Sequence, residues 1–254
     1  MTTRHVVRGC DVLCRTEGDG KPLLFLRGFD IAYDTGPFVS ALAREARVIV
    51  PDHPGFGASP LPDWLRGMGD MAYFYLDFLE TLDLRGVHVV GTGIGAWIAA
   101  EIAIRDSTRL SRLSLVGPAG LRHDGGAFGD PFIRAPDALH AFLFSEGRAP
   151  PLEHSNDDAA IDLRLKNAFG LARIAWQPRL AHPELQRWIH RVHVPVDLVW
   201  GSADRVIPPM HARAWTDALP GTRLTMIEGA GHLAHIERPA EVAAAILRAR
   251  GEDA

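Results

Sequence analysis

Only two of the 254 residues are cysteines, Cys10 and Cys14, close together near the N-terminus. Their spacing suits neither a zinc site nor the framework of a small secreted domain, so both read as reduced thiols on early strands. A positive charge excess is also missing. The chain has 27 Lys and Arg against 31 Asp and Glu, a formal net charge of -4, which gives no basic field to hold a nucleic-acid backbone. The opening Met1-Thr2-Thr3-Arg4-His5 carries no apolar signal-peptide region, and no apolar run approaches the length that spans a bilayer. Internal repeats and low-complexity tracts are absent too. These absences lead us to expect a cytoplasmic protein acting on a small-molecule substrate, with no nucleic-acid or membrane partner; oligomerisation is not legible.

With 47% of residues hydrophobic, the chain is able to bury a large core and fits one domain with an insertion. Short β-branched runs come first (His5 to Arg8, Val12 to Arg15, Leu23 to Leu26), separated by glycine turns, and suggest an antiparallel lead-in. Val48 to Val50, Val87 to Val90, Leu113 to Val116, Val196 to Trp200 and Leu224 to Ile227 read as buried strands spaced for helical crossovers. Such alternation predicts an α/β architecture, a mostly parallel twisted sheet with helices on both faces. Met71, Phe74, Tyr75, Phe78, Leu79 and Leu82 repeat at helical spacing, Ile94 to Ile104 is apolar almost all round, and Pro239 to Arg250 supplies a last helix.

Between Gly120 and about His190 the strand rhythm stops, and helix-like sequence is broken by Asp130-Pro131, Ala135-Pro136, Ala149-Pro150-Pro151 and Gln177-Pro178. The expected organisation is a core of residues 1–121 and 191–254 with an inserted helical cap at 122–190. Phe128, Phe132, Ile133, Leu139, Phe142, Leu143, Phe144, Phe169, Ile174 and Trp176 give it apolar surface, expected mainly to pack it onto the sheet.

The stretch Val89-Val90-Gly91-Thr92-Gly93-Ile94-Gly95-Ala96-Trp97 reads as strand, tight turn and helix. It resembles the nucleophile elbow of the α/β-hydrolase family, Gly-x-Ser-x-Gly, with glycine where that family has serine. Four further segments follow the family pattern. Leu198 to Pro208 resembles the strand end that carries the acid, which puts Asp204 in that role, and Glu228 to Glu237 resembles the loop that presents the histidine, His232. Pro51 to Ser59 looks like the family's Asp-x-Pro-Gly-x-Gly-x-Ser turn, read as shape without chemistry. Leu24 to Asp30 matches the loop that begins His-Gly in the family and has Arg27 at the histidine position. The resemblance spans about residues 20 to 240. It implies the α/β-hydrolase fold, Asp204 orienting His232 as general base, and an oxyanion hole from the amides of Phe29 and Ile94.

A glycine cannot attack a carbonyl, and Thr92 is expected to point elsewhere because the turn aims one residue into the site. Gly93 at the nucleophile position is then either a native departure or a substitution that inactivated a serine hydrolase of ester or carbon–carbon bonds. The departures at Arg27 and Asp30 favour divergence, with His232 acting on a water or a substrate proton. Arg27 is a candidate for a substrate carboxylate or for holding Asp30, and Asp30 for an inward-facing charge near the oxyanion donors.

No cofactor and no metal are expected. His235, three residues after His232, lacks a further ligand at recognisable spacing. Gly91-x-Gly93-x-x-Ala96 formally satisfies a dinucleotide fingerprint, but the next strand ends in Gly117-Pro118-Ala119 with no acid to hold a ribose, which rejects that reading. The alternative from another class is a non-catalytic receptor that keeps the hydrolase pocket.

Overall fold

The computed structural model describes residues 1–151, 157–177 and 179–251; Pro178, in the last of the four breaks, lies outside the described residues. Eight strands form one sheet: β1 (Thr2–Val7), β2 (Cys10–Glu17), β3 (Pro22–Leu26), β4 (Arg47–Pro51), β5 (Val87–Thr92), β6 (Leu110–Val116), β7 (Val196–Gly201) and β8 (Arg223–Ile227). Their spatial order is β1-β2-β4-β3-β5-β6-β7-β8. The β1/β2 and β2/β4 pairs are antiparallel and every other pair is parallel. The antiparallel lead-in is therefore β1 and β2 alone. The run at Leu23–Leu26 belongs instead to the parallel centre, between β4 and β5.

Helices α1 (Gly36–Leu42), α2 (Met68–Thr81) and α3 (Ile94–Arg105) connect the first strands, and α7 (Ala212–Ala218), α8 (Ala234–Glu237) and α9 (Pro239–Gly251) complete the chain. Between β6 and β7 lie α4 (Pro136–Leu143), α5 (Asp158–Ala175) and α6 (Pro183–Trp188), with no strand among the described residues there.

Side-chain alternation along the strands divides the core in two. On β3, Leu24 and Leu26 join the cluster that holds Met71, Phe74 and Phe78 of α2 and Trp97 and Ile98 of α3. Leu23 and Phe25 face the other way, onto Phe38 and Leu42 of α1 and Val242 and Ile246 of α9. Helices thus cover both faces, which explains why the central strands read as continuous apolar runs. β8 departs from that pattern: at the sheet edge, Leu224 and Met226 are exposed, so only Ile227 of the expected buried run is buried.

Candidate functional site

The elbow's three glycines have different causes. A Cβ on Gly95 would collide with the carbonyl oxygens of Leu26 and Arg27, and one on Gly91 would lie 2.5 Å from the Ala96 backbone. Helix α3 meets the end of β3 at Gly95 and strand β5 at Gly91, in both places too closely for a side chain to fit. Gly93 differs, because its Cβ would meet no backbone within 4 Å among its nearest neighbours: His232 Nε2 would stand 2.9 Å away and Phe29 Cδ2 3.4 Å away. Its φ of 52° is the left-handed region, so a side chain here would be strained as well as aimed at the imidazole. Main-chain bonds fix the turn on both sides, Gly93 N–H to Val116 O at 2.9 Å and Ala119 N–H to Gly93 O at 3.1 Å.

Past the ends of β7 and β8, the structure brings Asp204 and His232 together. His232 Nδ1 lies 2.8 Å from Asp204 Oδ2, with both side chains 1% exposed. The other carboxylate oxygen accepts from the amides of Val206 (2.8 Å) and Ile207 (2.9 Å), so the acid is fully hydrogen-bonded and its orientation is set by backbone. The network assigns the proton to Nδ1 and leaves the Nε2 lone pair toward Gly93. Phe29 presses edge-on against the imidazole, with ring centroids 5.5 Å apart at 65°, which narrows its rotational freedom. Ile94 opens α3, so its N–H is among the four that a helix start leaves without an intrahelical partner.

Arg27 and Asp30 pair with each other, the second of the two roles expected of Arg27. The side chain of Asp30 has no exposed surface; Oδ1 accepts from Gly28 N (2.5 Å) and Thr92 Oγ1 (3.2 Å), and Oδ2 faces Arg27 Nε and His235 Nε2, each at 3.3 Å. Burial alone would raise its pKa. His235, Arg27 and the Gly28 amide outweigh that effect and hold the carboxyl well below its usual range. Arg27 Nη2 donates to the carbonyls of Asp30 (2.5 Å) and Tyr33 (2.9 Å), so the guanidinium braces the loop that carries Phe29. Thr92 spends its hydroxyl on Asp30, as expected of a residue pointing away from the site. His53 is likewise internal: Nε2–H donates to Arg27 O (2.9 Å) and Nδ1 accepts from Tyr75 OH (2.5 Å), and burial lowers its pKa below the ordinary histidine value.

Sequence reasoning missed three features: the inward turn of His235 onto Asp30, the packing of Phe29 against His232, and the clasp of Glu237 on the histidine loop. His232 is hydrogen-bonded to Asp204, while His235 Nε2 stands 3.3 Å from a different carboxylate, that of Asp30. The signal for Glu237 was its position five residues after His232, at the end of α8, but one of its two partners, Ser145, lies 92 residues away in sequence. A groove of about 470 Å³ beside α2, lined by Arg8, Trp64, Asp70, Tyr73, Phe74 and Asp77, shares no residue with this site. Chemistry, rather than the size of a hollow, locates the functional centre.

A sequence profile described as "Alpha/beta hydrolase family" matches residues 23–245. The chain is 28% identical to the uncharacterized protein Rv2715 of Mycobacterium tuberculosis over 93% of its own length and 77% of the relative's. It is 25% identical to monoacylglycerol lipase abhd6-B of Xenopus laevis over 87% of its length and 73% of that protein's. Among solved structures, a bacterial membrane phospholipase A superposes with a TM-score of 0.81 at 24% identity, covering 98% of this chain and 86% of that one. The chain belongs to the alpha/beta hydrolase family.

Proposed function

We propose that this protein is an enzyme in which His232, oriented by Asp204, acts as a general base without a covalent acyl-enzyme. The observation that carries this is the Nε2 lone pair standing 2.9 Å from where a Cβ of residue 93 would be. With glycine there, no side chain of residue 93 stands before the imidazole, and the reading places a water or an acidic substrate proton against that lone pair. For hydrolysis, Nε2 takes a proton from water as the water oxygen bonds to the substrate carbonyl carbon. The amides of Phe29 and Ile94 hold the resulting oxyanion. Collapse then breaks the bond to the leaving group, which recovers the proton from His232. Asp204 stays ionised throughout and stabilises the imidazolium. The substrate is small to medium and apolar, and residues 122–190 serve as its cap. An ester fits both this site and the names of the lipase and phospholipase relatives.

Gly93 as the product of an inactivating substitution is favoured by one specific observation: the Asp204–His232 pair faces position 93, and a Cβ there would meet side-chain atoms of His232 and Phe29 rather than backbone. Hydrolysis of an activated aryl ester by the parent chain, by Gly93→Ser and by His232→Ala separates the possibilities. Burst-free turnover in the parent, lost in His232→Ala, is the expected result. A burst confined to Gly93→Ser, with an inert parent, identifies an inactivated serine hydrolase instead. No turnover in either form, with ligand affinity untouched by His232→Ala, makes the protein a receptor.

A further inference from the structure

The backbone around His232 is anchored to residues that take no part in the proposed chemistry. Gly231 N–H, one residue before the histidine, donates to Glu237 Oε1 at 2.8 Å. The same oxygen accepts from the Ser145 amide at 2.9 Å, and Oε2 accepts from the Ser145 hydroxyl at 2.5 Å. On the other side of the histidine, Leu233 N–H donates to Leu143 O at 3.1 Å. Contact is so close that a Cβ on Gly231 would collide with the Ser145 amide and stand 2.5 Å from the Phe144 carbonyl carbon.

The other parts of the site are fastened to the same short segment at the end of α4. Arg205, next to the acid, donates through Nη2 to the carbonyls of Ala141 (2.5 Å) and Phe144 (2.8 Å). Tyr33, whose carbonyl receives Arg27, hydrogen-bonds through its hydroxyl to His140 Nδ1 at 2.8 Å and meets Phe144 edge-on at 5.3 Å. His140 Nε2–H donates to Pro150 O at 2.8 Å, so Nδ1 is the acceptor for Tyr33. Acid, base and the Phe29 loop therefore share one mount, residues 140–145.

We propose that Glu237 is a positioning residue for His232, holding the imidazole in register with Asp204 by clamping Gly231 to Ser145. It rests on the proposed function in taking His232 and Asp204 as the working pair. Its carboxylate is suited to the task because one oxygen accepts two amide hydrogens and the other a hydroxyl, three bonds from one rigid plane. Loss of that plane leaves the histidine loop hydrogen-bonded to the α4 segment through Leu233 N–H and Leu143 O, while the Asp204 carboxylate stays in place.

The experiment follows the proton on His232 Nδ1 by NMR in the full-length protein, the resonance being identified by its disappearance in His232→Ala. In Glu237→Ala that resonance moves upfield and its exchange with solvent quickens about tenfold. Glu237→Gln keeps a carbonyl oxygen for the two amides and restores most of the parent behaviour. A distant core variant, Leu79→Ala, lowers thermal stability without moving the resonance. Should Glu237→Ala fail to fold, Ser145→Ala removes the hydroxyl bond alone and shows a smaller change in the same direction. An unshifted, equally protected proton in a folded Glu237→Ala, or in Ser145→Ala when the first does not fold, overturns the proposal. Because this readout needs no turnover, an inactive parent chain overturns the proposed function without touching the result.

Discussion

Helices α3 and α5 both carry several large apolar side chains, yet they are held differently. Every residue of α3 from Ile94 to Ile104 is buried, with its start fixed at the elbow. On α5, Leu165 and Phe169 are each 64% exposed. Polar bonds tie that helix to the loops below it: Lys166 Nζ to Gly57 O (3.0 Å), Gly57 N to Asn167 Oδ1 (3.0 Å) and Arg173 Nε to Leu65 O (2.9 Å), with Asp157 capping the N-terminus through Ala160 N (2.8 Å). Each such bond contributes only about 0.5–1.5 kcal/mol net, whereas burying one large apolar side chain contributes about 1.5–3 kcal/mol. Helix α3 is thus set by close packing along its whole length, whereas α5 packs through Gly170, Ile174 and Ala175 near its C-terminal end and relies on directional polar contacts for much of the rest.

The largest effect that sharpens this contrast is chemical. His232→Ala removes a group mounted on the rigid frame and is expected to lower turnover of an aryl ester by about 10²- to 10⁴-fold, read from steady-state rates. Next comes a direct comparison of stability. Trp97→Ala in α3 is expected to cost about 3–5 kcal/mol in denaturant unfolding, while Phe169→Ala on α5 stays within about 0.5 kcal/mol. Equal costs for the two would break the comparison.

Acid separates the regions in a third way. Asp30 titrates in the folded protein below its ordinary value of 3.8, so its contribution to stability is present above that value and is lost as pH falls through it toward the folded pKa. Unfolding midpoints measured from about pH 5 down to about pH 2 should fall less steeply in Asp30→Asn than in the parent. A parallel decline in both removes Asp30 from the balance. The smallest effect concerns the thiols. Burial, followed by the charge of Asp52, pushes the Cys14 thiol up to about 12, so it remains protonated at neutral pH. Alkylation of the native protein at pH 8 should leave Cys14 unmodified, with reaction appearing only on unfolding.

Much of the frame was readable because its determinants are local. Buried parallel strands demand unbroken apolar runs, and the elbow demands glycine wherever β5 and α3 backbones touch, so both leave marks within a few residues. Asp204 and His232 were found by motif, and the fold then joined them. What escaped the sequence depends on partners distant in the chain. Leu23–Leu26 looks the same whether it pairs with a hairpin neighbour or with β4 and β5. The edge position of β8 is a property of the sheet, not of Leu224 or Met226. The Arg27–Asp30 pairing was open to the sequence because the two lie three residues apart, but nothing nearby announces that His235, Thr92 and the Tyr33 carbonyl will surround them. In the insertion, Ile133, Phe169 and Trp176 read as packing residues but are exposed, since apolar composition says nothing about which face of a helix finds a partner.

The turn at Gly93 is secured by amides and carbonyls of its own backbone and of the β6 end. Its shape consequently owes nothing to whatever projects from it. A side chain at 93 would leave each of those bonds in place and press instead on His232 and Phe29, so the imidazole is where any residue at the head of α3 is first felt.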